Sequence, residues 1–145
     1  MAQAATGRAA IADDSGIVAN GLGGRPGVRS ARYAGENASD EENLVKLIRD
    51  VGEQADRRVA YVCSIALVTA EGHQSLFEGR SEGTLADRPR GSGGFGYDPG
   101  FVPVDTGPDD QRTMAELAPA EKNAISHRGR AARKLAEHLG VEVGG

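Results

Sequence analysis

Two hydrophobic periods organise the chain. Between Ser39 and Gly52 the apolar residues Leu44, Leu47, Ile48 and Val51 recur at i, i+3, i+4 and i+7, which predicts one buried stripe on a helix. Ser39 stands at its N-cap with Glu42 three residues on, the pattern of a capping box, and Gly52 is the stop. RRVAYVCSIALVTA (57–70) is apolar, β-branched and free of breakers, which predicts a central strand buried on both faces. EGH then turns the chain, QSLFEGR (74–80) returns as a hairpin partner, and SEGTL stays extended.

The remaining segments are shorter. AAIAD (9–13) reads as a buried strand ending in acid. Residues 14–37 are punctuated by six glycines and read as loop, with a short extended piece near Ile17 and Val18. FVPV is a short strand, and TMAEL (113–117) repeats the capping-box pattern with Thr113 and Glu116. SHRGRAARKLAEHLG (126–140) reads as a helix with the stripe Arg128, Ala132, Leu135, Leu139 and a stop at Gly140. MAQAAT before Gly7 reads as the end of a further helix. The order strand, helix, three strands, helix predicts one mixed α/β domain over 1–145, a mixed sheet flanked by helices.

Composition narrows the partners. The net charge is −4, whereas a protein that grips a nucleic-acid polymer is more often basic. A single cysteine, Cys63, permits no internal disulfide and points to a reducing, cytoplasmic compartment. Three histidines scattered at 73, 127 and 138 do not give it the partners of a usual structural zinc site. No apolar run is long enough for a membrane span, and the first residues lack a signal-peptide core. The 21 glycines are about twice the usual ~7% and gather in shaped runs, not in a repeat.

Four segments carry residues suited to chemistry. ADDSG (12–16) sets Asp13 and Asp14 side by side; on extended backbone they face opposite ways, so one can hold a hard cation such as Mg²⁺ while the other anchors a turn. An Asx-turn closing a strand is the alternative. LGGRPGVRSARYAG (22–35) offers Arg25, Arg29 and Arg32, suited to phosphate or simply solvated. PRGSGGFGYDPGF (89–101) combines five glycines with three aromatic rings. Its backbone N–H groups can form an anion-binding nest, and Phe95 and Tyr97 can share a face for stacking on a base; alternatively the rings plug a core edge. EKNAISHRGR (121–130) brings the cations Lys122, His127 and Arg128 to a helix start, where an anionic ligand would offset them; a polar face is the plain alternative.

Taken together, these segments resemble the inosine triphosphate pyrophosphatase family. The resemblance runs in order through ADDSGIVANGLGGRPGVRSARYAG, ASDEENLVKLI, EGTLADRPRGSGGFGYDPGFVP, TMAEL and EKNAISHRGRA. It implies an elongated mixed α/β fold with a nucleotide cleft, a homodimer, and Mg²⁺-dependent hydrolysis of dITP, ITP and XTP to monophosphate and pyrophosphate. Asp14 matches the family's catalytic, metal-linked aspartate, with Asp13 the lesser candidate for the metal. Ser15 matches a substrate contact. Phe95, Gly96, Tyr97 and Asp98 match the base-side loop, and Lys122, His127 and Arg128 match the remaining nucleotide contacts.

The family pattern also has an upstream strand, a Ser/Thr-x-Asn-x-x-Lys phosphate turn, a helix and an acidic metal ligand that are not in these 145 residues. The expectation is therefore a shortened chain with weak turnover. Its alternative role is a nucleotide-binding or dimerising fragment.

Overall fold

The computed structural model describes residues 10–94 and 96–140. The expected helix before Gly7 and the side chain of Phe95 lie outside them. The chain runs β1 (Ala10–Ala19), α1 (Asp40–Val51), β2 (Arg58–Val68), β3 (Gln74–Leu85), β4 (Phe101–Pro103), α2 (Pro119–Ile125) and α3 (His127–Leu139), with short 3₁₀ turns between. The mixed α/β class is borne out. The four described strands form one sheet in the order β1-β2-β3-β4, and every pairing is antiparallel, where a mixed sheet was expected. Each successive strand is joined to its neighbour in the sheet, so an antiparallel return needs no crossover.

Two expectations about the elements change. The first strand does not end at Asp13. It continues through Asp14, Ser15 and Gly16 to Ala19, in unbroken register with β2 from Ala10↔Val68 to Ala19↔Val59. Nor is its first half buried: Ile11 to Asp14 are exposed, and among the described strands β1 stands at an edge of the sheet. Only Ile17 and Ala19 reach the core. In α3 the buried face centres on Ala131 and Leu135, while Arg128, Ala132 and Leu139 are exposed. The apolar spacing was read one position out of phase, since alanines at 131 and 132 give either face similar weight.

The sheet carries two hydrophobic clusters of unequal size. The larger packs α1 (Leu44, Leu47, Val51) on Ile17, Val59, Tyr61, Leu85 and Phe101. It confirms the α1 stripe, and the Ser39–Glu42 capping box forms in both directions. The smaller holds α3 through Cys63, Ile65 and Ala131, with Phe77 and Leu135 at its margin. Here the helix lies almost on the strand. A Cβ at Gly79 would collide with the backbone of His127 and Ala131. That close approach fixes where the first turn of α3 begins.

Candidate functional site

A cavity of about 850 Å³ opens where these layers meet, within the range of small-molecule sites. Its lining draws on β1 through Ser15 and Ile17, the 3₁₀ segment at Ser30, the α1 start at Asp40, β2 through Tyr61, the glycine-rich loop, the turn at Met114, and the α2–α3 junction. Sequence-distant clusters thus converge. Ser15, Gly96, Tyr97, Asp98, Lys122, His127 and Arg128 all line this one space.

The floor is a stack of rings. The His127 imidazole lies 4.8 Å from the Tyr61 ring at 16°, and Tyr61 lies 4.4 Å from Phe101 at 18°. His127 Nε2 and Ser15 Oγ share a hydrogen bond of 2.8 Å, which ties α3 to β1. Burial, with Arg128 and Lys122 nearby, pushes the His127 pKa from its ordinary 6.5 down to about 4, against the pull of Asp98. The ring is therefore neutral at pH 7. Across the sheet from Ser15 stands Cys63, fully buried, whose thiol pKa is raised chiefly by that burial. It is a packed side chain, not an exposed nucleophile.

Asp98 is the electrostatic centre. Only 3% exposed, its carboxylate accepts from the Tyr61 hydroxyl at 2.7 Å and pairs with the Lys122 ammonium. A buried carboxylate needs such partners, or its desolvation would not be offset. Burial, reinforced by Asp98, holds the Tyr61 phenol far above its ordinary pKa, so it remains a donor. Lys122 itself comes from α2, not from the start of α3. Helix α2 was missed because seven residues carry too few apolar positions to show a period. Pro119 at its start and Glu121, which accepts from the Ala118 N–H at 3.0 Å, were the legible signals.

The glycine loop is held from several sides. Gly94 has φ +74, and a side chain there would run into the Asp98 carboxylate. The Gly93 N–H donates to Ala115 O at 3.2 Å. The Thr113 hydroxyl, expected to cap its own turn, donates to Arg90 O at 2.7 Å instead. The segment after it is a single 3₁₀ turn, with Glu116 accepting from the Thr113 N–H. Tyr97 is 5% exposed and donates its hydroxyl to Ser30 O at 2.6 Å, so it is a wall of the cavity anchored in the core. Ser30 was not anticipated. Its buried hydroxyl accepts from Ile17 N–H at 2.9 Å and donates to Gly27 O at 2.6 Å, locking the arginine loop onto β1.

The acidic pair lies on the exposed half of β1 and divides between its two faces. Strand alternation puts Asp13 on the face of Ser15, and its carboxylate is 4.0 Å from Arg128. Asp14 projects to the other face and, unlike Ser15, does not line the cavity. Among the described residues no three His, Cys, Asp or Glu side chains gather to hold an ion. The arginines of the 22–35 loop divide: Arg25 bonds Leu22 O at 3.2 Å, and Arg32 reaches Glu36 at 4.0 Å. Neither they nor Arg29 line the cavity.

The model of the Ham1 family matches residues 1–138. This chain belongs to the Ham1 family. A dITP/XTP pyrophosphatase of Geobacter sulfurreducens is 50% identical over 137 residues, covering 93% of this chain and 67% of that protein. One from Geobacillus kaustophilus is 49% identical over 140 residues, covering 95% and 67%. The Ham1 protein structure of Staphylococcus aureus superposes with a TM-score of 0.87 at 43% identity, covering 94% of this chain and 69% of that one. That of a Coxiella burnetii HAM1 protein gives 0.86 at 43% identity, covering 95% and 70%. The chain thus spans about two thirds of the length of these relatives, and the motif resemblance is borne out. Among the described residues no helix is long and apolar enough to cross a membrane.

Proposed function

We propose that this Ham1-family chain carries the site of a pyrophosphatase for non-standard purine nucleoside triphosphates: dITP, ITP and XTP are split to monophosphate and pyrophosphate. The relatives named dITP/XTP pyrophosphatase support the reaction. One observation carries the substrate: a single 850 Å³ cavity that pairs flat rings with cationic donors. The Tyr61–His127 stack gives the base a planar neighbour. Lys122, steadied by Asp98, and Arg128 are donors suited to the 6-oxo group of hypoxanthine or xanthine. Adenine, with an amino donor there, leaves them unmatched, at about 1–3 kcal/mol for the part-buried Lys122 and less for the exposed Arg128. Guanine shares the 6-oxo group, so its rejection has to act on the 2-amino group.

Asp14 is assigned the metal-linked catalytic role, and Asp13, turned toward Arg128, the lesser share. Mg²⁺ binds through one or two carboxylates plus water and substrate phosphates, a demand that exposed carboxylates such as these meet without a closed protein cage. When bound, the ion neutralises phosphate charge and lowers the pKa of its water. The chain's own part is to seat the base, exclude water from it and present Ser15 toward the phosphates. A homodimer and a cytoplasmic setting complete the proposal. Light scattering of the purified chain tests the dimer.

The test of function is pyrophosphate release from dITP, XTP and dATP with Mg²⁺, comparing the chain with Asp14→Asn. Release from dITP and XTP but not dATP, lost in Asp14→Asn, is expected. Inosine nucleotide binding without turnover would instead favour a binding fragment.

A further inference from the structure

We infer that Asp40, on the first turn of α1, is a positioning residue that holds the glycine-rich wall of the cavity, and through it the purine base. The second clause rests on the nucleotide reading above. Asp40 Oδ2 accepts a hydrogen bond from the Gly96 N–H at 2.9 Å, across 56 residues of sequence, and both residues line the cavity. Gly96 has φ +62, so its N–H points where only a left-handed backbone directs it.

The rest of that helical turn does related work. Asn43, three residues on and 2% exposed, uses both ends of its amide on the facing loop: Nδ2 donates to Ala31 O at 3.1 Å, and Oδ1 accepts from the Ala34 N–H at 2.8 Å. Residues i and i+3 share a helix face. One turn of α1 therefore clamps two cavity walls, the glycine loop through Asp40 and the 31–34 loop through Asn43. Tyr97 closes the ring by donating to Ser30 O, beside Ala31.

The competing role for Asp40 is to complement the helix dipole, as acids in a first turn do. Glu41 and Glu42 stand in the same turn, and Glu42 already serves the cap by accepting from the Ser39 N–H at 2.8 Å. The dipole role also makes no use of the bond to Gly96.

The two roles separate in Asp40→Ala and Asp40→Asn. The asparagine loses the charge but keeps an oxygen that accepts from Gly96. Losing one hydrogen bond of ordinary net strength, the alanine variant should show deuterium exchange at the Gly96 amide about fivefold faster. Its KM for ITP should rise by a similar factor while kcat holds within about twofold. Asp40→Asn should restore both values toward wild type. Equal loss of melting temperature in both variants, with Gly96 exchange unchanged, would overturn the inference. The exchange measurement needs no nucleotide. If the wild-type chain fails to hydrolyse ITP, the proposed function falls, while Gly96 exchange still decides whether Asp40 holds the loop.

Discussion

The two ends of the sheet are built on different physics. The end that carries α1 is large and conventional: Leu44, Leu47, Val51, Ile17 and Phe101 are all at most 2% exposed and pack around Tyr61. The end that carries α3 has three small or medium buried side chains, Cys63, Ile65 and Ala131, and depends on backbone contact at Gly79. Volume secures the first end, and closeness secures the second. The cavity lies along the seam, so its α1 wall is stiff. Its α3 wall, with His127 and Arg128, rests on the close approach at Gly79, the Ser15–His127 hydrogen bond, the Tyr61–His127 stack and the Asp13–Arg128 pair.

The contrast breaks first at the large end. Phe101→Ala removes a fully buried ring that supports Tyr61 and should cost about 3–5 kcal/mol, read as a drop in the urea midpoint. A loss under 1 kcal/mol would mean that this cluster is not the main core. Gly79→Ala comes next. It should lower stability by roughly 1–3 kcal/mol through overpacking, and should weaken inosine monophosphate binding as α3 is pushed away from Ser15. Calorimetry on the folded variant reads the second effect.

Leu135→Ala, at the margin of the small cluster, should cost less than Phe101→Ala, near or below the ~2 kcal/mol lower bound for buried leucines. Arg112, paired with Asp110 and Glu121 on the surface, is the control: Arg112→Ala should stay within about 0.5–1 kcal/mol by the same urea measurement.

Acid sharpens the contrast at the seam. His127 has a folded pKa near 4 against an ordinary 6.5, so between these values the unfolded chain binds a proton that the folded chain does not. Its contribution is fully present above pH 6.5 and is lost as pH falls toward 4. In urea unfolding at pH 7, 5.5 and 4.5, His127→Gln should flatten that part of the decline. An unchanged slope would mean that the imidazole is not buried uncharged.

The same contrast explains what the sequence disclosed. The large end was legible because its signals are redundant: α1 has a period, a cap and a stop, and β2 is an unbroken apolar run. The small end was read out of phase, because alanine and glycine carry little hydrophobic weight and backbone contact leaves no period. β1 was cut short because Asp13 and Asp14 resemble a turn, yet an edge strand tolerates acids on its exposed half.

At the site, the charged and glycine-rich motifs marked residues that the fold brings to one cavity, from Ser15 and Gly96 to Lys122, His127 and Arg128, while Asp14 and the loop arginines fall outside it. The polar anchors were hidden. Tyr61 sits within an apolar strand run, and Asp40 and Asn43 lie outside the apolar stripe of α1. Their roles come from partners 37, 56 and 12 residues away. No local pattern encodes such distances.

The central claim is that one cavity on the seam takes the purine. Its most direct test is titration of the isotopically labelled chain with inosine monophosphate, followed by amide chemical shifts. Saturating shifts should appear at Ser15, Gly94, Gly96, His127 and Arg128, while adenosine monophosphate leaves them nearly unmoved. Shifts confined to the outer face of α1 or the far end of β3, or equal for the two nucleotides, would contradict it.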